Sequence, residues 1–143
     1  MRVTYALLAD SATVDPATAK LNIIGGGFDT IWGPAFPARH PSLTLIARLE
    51  IAPTECDYEH ILRIEGLGPD GQAIMEPQVI QFTPQRNLAE PGRPGTIPIV
   101  ATFQNLVFLV PGDYGLHILA DNNLLVDVPL FLRQQAEAPE LNV

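Results

Sequence analysis

Apolar and polar residues alternate through much of this chain. Leu43, Leu45, Ala47, Leu49 and Ile51 fall on one side of an extended segment, with Thr44, Ile46, Arg48 and Glu50 on the other. A period of two places one side in a core and the other toward water. Residues 58–67 repeat the pattern, with His60, Leu62 and Ile64 set against Glu59, Ile61, Arg63 and Glu65. Near the end, Tyr114, Leu116, Ile118 and Ala120 make one inward row. Leu124, Val126, Val128, Leu130 and Leu132 make another. Asp121-Asn122-Asn123 between them predicts a hairpin turn of two or three residues, because Asn and Asp tolerate left-handed backbone. No helix-length window carries a 3.6-residue period.

Weaker strands are expected at residues 3–9, 20–24, 28–32 and 73–83, the last interrupted by Pro77. Ile97, Ile99, Ala101 and Phe103 share one parity, whereas Leu106, Phe108 and Val110 share the other. The switch predicts a bulge near Asn105 or two separate strands. Residues 10–19 read as a turn region, and 68–72 and 111–113 as tight turns. Pro34, Pro37 and Pro41 make 33–41 an extended crossing. Residues 90–98 read as a mobile loop. Eight or nine short strands with turns between them imply an all-β fold, an antiparallel two-sheet sandwich of immunoglobulin-like or related kind. A closed barrel is the alternative. Residues 1–133 are expected to form one domain, and 134–143 a flexible tail.

Charge narrows the function. Eight cations face sixteen acids, for a formal net charge of -8, and Lys20 is the single lysine. Such a chain repels phosphate backbones and anionic membrane surfaces, so neither nucleic acid nor membrane is expected as a partner. The one cysteine, Cys56, cannot form an intrachain disulfide. The N-terminal apolar run is cut short by Asp10, too early for a secretory segment, so a cytoplasmic protein is expected.

Gly25, Gly26 and Gly27 lie between an apolar run (Leu21, Ile23, Ile24) and an aromatic one (Phe28, Ile31, Trp32). A glycine triplet inside strand-like sequence predicts a bend, a bulge or a crowded contact, with Phe28 beside it. It lacks the GK[ST] of a phosphate loop and the spacing of a dinucleotide fingerprint, which leaves only an anion cradle made by backbone amides. LLAD at 7–10, KLNIIGGGFD at 20–29 and PGDY at 111–114 together resemble an uncharacterised bacterial domain family of unknown function, across nearly the whole chain. The resemblance implies a small β-sandwich and brings no catalytic or binding residues.

Chemical candidates are sparse. His40, His60 and His117 are far apart, without the spacing of a metal motif, and would have to converge by folding, with Asp57 or Glu59 helping. Such an end-of-fold metal-dependent or hydrolytic site is the alternative to a non-enzymatic protein. Ser11 and Ser42 have no nucleophile-elbow context, and Cys56 stands between Glu55 and Asp57, neighbours that make a thiol a poor nucleophile. Loop acids Asp15, Asp70, Asp113 and Asp121 are single residues suited to turns rather than to calcium. No cofactor is expected. Val107, Leu109, Leu119, Leu125 and Phe131 are surplus apolar residues on faces that should meet water. They predict self-association, as a two-fold dimer packed through a sheet face, or docking of a protein partner.

Overall fold

The structure, a computed structural model, describes residues 1–135. The chain is all-β, with strands β1 (Arg2–Val14), β2 (Leu21–Phe28), β3 (Thr30–Gly33), β4 (Ala38–Ile51), β5 (His60–Leu67), β6 (Gln78–Phe82), β7 (Gly95–Phe108), β8 (Gly112–Ala120) and β9 (Asn123–Gln134). A 3-10 turn, Pro53–Glu55, links β4 to β5. The strands form a four-stranded sheet in the order β2-β1-β4-β7 and a five-stranded sheet in the order β3-β9-β8-β5-β6. The five-stranded sheet curls like half a barrel. Among the described residues the two sheets share no ladder, so the strands do not close into one barrel. All pairings are antiparallel except β3 with β9.

Both sheets contribute to one hydrophobic cluster. Leu43, Leu45, Ala47, Leu49 and Ile51 enter it from β4, Leu62 and Ile64 from β5, and Leu116, Ile118, Leu130 and Leu132 from β8 and β9. The alternation on β5 is realised residue for residue. On β4 it is not: Thr44 and Ile46, expected toward water, are completely buried. They are central on their sheet. Ile46 is flanked in register by Leu7 and Val100, and Thr44 by Ala9 and Thr102, so same-face neighbours on both sides cover them. The Thr44 and Thr102 hydroxyls share a 3.1 Å hydrogen bond.

Other sequence expectations need correction: residues 95–98 open β7 rather than ending a loop, and 38–41 open β4 rather than ending a crossing. Residues 10–14 belong to β1, not to a turn, and β2 runs through the glycines to Phe28. The parity switch at Asn105 is not a bulge and does not divide the strand. β7 keeps unbroken register with β4 from Ile51↔Gly95 to Ala38↔Phe108, and Asn105 takes a left-handed φ of 54° that turns the following side chains over. Finally, Leu124 does not point inward. The register shifts between Ile118↔Val126 and Leu119↔Leu124, which leaves Leu124 55% exposed and packs Leu125 against the core. The turn at Asp121 and Asn122 has two residues, both left-handed, as a tight hairpin with right-twisted strands requires. Residues 136–143 of the expected tail lie outside the described residues, and Gln134 is still in β9.

Candidate functional site

The segments at 7–10 and 20–29 are partners across one ladder. Leu8 pairs with Phe28, Ala9 with Gly26, and Ser11 with Ile24. The step from Leu8 to Ala9 faces three residues on β2, so Gly27 is the extra residue of a bulge, held at a φ of 91°. Gly25 is also left-handed, at 63°, and a Cβ there would overlap the Asp10 carboxylate, its centre 2.7 Å from Asp10 Cγ. Gly26 has ordinary φ, but a Cβ would meet Ile23 Cγ2 at 2.8 Å and Leu7 Cδ1 at 3.4 Å. The triplet therefore serves a bulge and a close approach. The carboxylate of Asp10 beside Gly25 opposes an anion at that position. Phe28 leaves the bulge half-buried against the core.

This geometry shapes an exposed edge. β1 pairs with β4 only as far as Ala9↔Thr44, whereas its pairing with β2 continues to Val14↔Leu21. The outer half of β1 and the first half of β2 thus form a two-stranded ribbon. On it Val14 is 37%, Ile23 41% and Ile24 69% exposed. Successive side chains on a strand point to opposite faces, so β2 is open on both. Among the described residues its far edge has no neighbouring strand. From Leu21 to Phe28 it carries no charge and no proline, the usual guards of a sheet edge.

The five residues expected to form a self-association patch are divided between the two sheets. Val107 and Leu109 are exposed at the end of β7 and just beyond it. They line a shallow apolar groove with Val110, Ile74 and Tyr114. Leu119 and Phe131 are half-buried on β8 and β9 of the other sheet, and Leu125 is packed on the core. The exposed apolar residues of β2 had no alternation to single them out, since neither face of that strand is buried.

The three histidines occupy three separate places. His40, at the start of β4, is half-buried, and its Nε2 has no hydrogen-bond partner among the described residues. His117 lies on the outer face of β8, between Glu65 and Asp127 of the neighbouring strands, 3.2 Å from Asp127 Oδ1. His60 is 2% exposed and stacks at a tilt on Tyr58. Its Nδ1 is 2.6 Å from Asp121 Oδ2 and its Nε2 2.6 Å from the Glu55 carbonyl oxygen. Burial pushes the His60 pKa down, but the hydrogen bonds to Asp121 and Glu55 outweigh it and raise the value above 6.5. Asp121 is held below its ordinary range by the bond to His60 and the Ile61 amide. Glu55 binds the α-ammonium of Met1 through both oxygens, 2.6 Å each. Among the described residues no three His, Cys, Asp or Glu side chains are grouped to hold a metal ion.

The loop acids act locally. Asp15 accepts the Ala17 amide and Asp70 the Gln72 amide, while Asp113 pairs with Arg133 at 2.8 Å. The 111–114 turn ends in Tyr114, whose hydroxyl donates to the Val110 carbonyl at 2.7 Å and whose ring meets Phe108 edge-on at 5.1 Å.

Fold and site together define an all-β protein of two sheets with an open, apolar edge strand. Residues 4–133 match the family of unknown function DUF6941, and the chain belongs to that family. No curated protein matches it. Among the described residues no helix is long and apolar enough to cross a membrane.

Proposed function

We propose that this protein is a non-enzymatic interaction module of the cytoplasm, built as an immunoglobulin-like sandwich, that pairs through the β2 edge with a second copy of itself. The observation that carries this reading is the exposure of Ile23 and Ile24 on an edge strand with neither charge nor proline. Adding a strand to such an edge supplies main-chain hydrogen bonds, and the alternate side chains supply specificity. At the other end of the same sheet β7 is a poorer template, because it contains Pro98 and the left-handed Asn105. The bulge at Gly25 to Gly27 ends the regular stretch of β2, so pairing is confined to Leu21–Ile24 and its register is fixed there. Edge pairing replaces the face-packed dimer expected from the sequence, because the five residues of that patch do not share a face.

The sandwich assignment rests on the single core fed by both sheets and on the Tyr114 hydroxyl bond back to Val110, which resembles the tyrosine corner of immunoglobulin-like domains. Light scattering at micromolar concentration tests the association. A mass of twice 15.5 kDa is expected for the native chain, and a single 15.5 kDa mass for Ile24→Lys. A native monomer contradicts the proposal.

A further inference from the structure

At the opposite end of the four-stranded sheet, a cleft of about 220 Å³ opens between the end of β4, the Pro53–Glu55 turn and the loop that precedes β7. Arg48, Arg86 and Arg93 line it, together with Gln85, Asn87 and Thr96. Among the described residues no Asp or Glu lines it. The chain has only eight cations against sixteen acids, and three of the eight gather around this small cleft, two of them with a carboxylate partner outside its lining.

The guanidiniums are held but not consumed. Arg86 donates from Nη2 to the Pro53 carbonyl at 3.2 Å, and its Nε stands 3.6 Å from Asp57, a loose pair. Arg93 is tethered by Nη1 to Glu90 at 2.8 Å. Arg48, on β4, is exposed, and no ion-pair partner is found for it among the described residues. The Asn87 carboxamide oxygen accepts the Ala89 and Glu90 amides, which folds the loop and leaves its NH₂ as a donor. Pairs of guanidinium N–H groups match the tetrahedral oxygens of a phosphoryl group two at a time, and amide and hydroxyl donors complete such a shell.

We propose that this cleft binds a phosphoryl dianion, either free phosphate or a phosphomonoester of a small molecule. A polynucleotide is a poor fit, because the phosphates beyond the cleft would meet an acidic surface. The proposal is independent of β2 pairing, which uses the other end of the sheet.

Thermal unfolding and calorimetric titration of the full chain, at constant ionic strength, test it. The probes are inorganic phosphate, phenyl phosphate, and sodium chloride as the monovalent control. A ligand at ten times its Kd raises the melting midpoint by about 5 °C in a domain of this size. That shift is expected with phosphate, and not with ionic-strength-matched chloride. Tighter binding of phenyl phosphate assigns the monoester as ligand, and binding of inorganic phosphate alone assigns the free ion. Arg48→Gln and Arg93→Gln should each weaken binding at least tenfold, while Arg63→Gln, on the other sheet, leaves it unchanged. Arg48 is exposed, so its variant keeps the fold, which its unliganded melting midpoint verifies. No phosphate response, or equal binding by a folded Arg48→Gln protein, overturns the proposal.

Discussion

His60 and Asp121 are joined by a 2.6 Å bond that ties the start of β5 to the turn between β8 and β9. The other ring nitrogen faces the Glu55 carbonyl, so both nitrogens meet acceptors and both must donate, which only the imidazolium can do. Asp121 also accepts the Ile61 amide at 3.0 Å and returns its own amide to the Ile61 carbonyl at 2.9 Å. One charged ring thus clamps three segments that are distant in sequence.

The sign of the pH dependence follows. The folded pKa of His60 is raised above 6.5, so its stabilising contribution is complete below that pH and is lost as pH rises through the folded value. Asp121 is lowered from 3.8, so its contribution is present above that pH and is lost as pH falls through its folded value. The melting temperature should therefore fall as pH rises above about 6.5. His60→Leu should cost about 2 kcal/mol at pH 6 and flatten this alkaline limb. Unfolding scans from pH 5.5 to 9 check both; a slope unchanged in the variant would assign the dependence elsewhere.

Among the glycines, Gly25 should be the least replaceable. Gly25→Ala adds a left-handed strain of about 1–2 kcal/mol to an overlap with Asp10, whereas Gly27→Ala has open space around its Cβ and carries the strain alone. Urea unfolding should rank Gly25→Ala as clearly less stable than Gly27→Ala. The double variant with Asp10→Ala should recover part of the difference, because it removes the overlapping carboxylate.

Tyr114→Phe removes one hydroxyl and keeps the ring against Phe108. It should cost about 1 kcal/mol, the worth of a bond whose acceptor, the Val110 carbonyl, is left without it. Denaturant midpoints of the two proteins measure the difference.

The alternating rows were legible because burial on one face is written directly into a period of two. Leu62 and Ile64, or Leu116 and Ile118, needed no structure to place. Thr44 and Ile46 were misplaced because their cover comes from flanking strands, which alternation along one strand does not encode. Leu124 was misplaced by a bulge, a one-residue event that reverses every side chain before it. The glycine motif announced a backbone constraint, but its cause, the Asp10 carboxylate over Gly25, depends on a cross-strand register. The arginine cleft gave no sequence signal, since Arg48 lies 38 and 45 positions from Arg86 and Arg93.

Pairing through the edge of β2 is tested most directly by hydrogen exchange of its own amides. At protein concentrations well above the dissociation constant, the amides of Leu21–Ile24 should exchange more slowly than in the dilute protein, and the protection should disappear in Ile24→Lys. Amides at the far edge of β7 should not change. Exchange at Leu21–Ile24 that is independent of concentration would contradict the account.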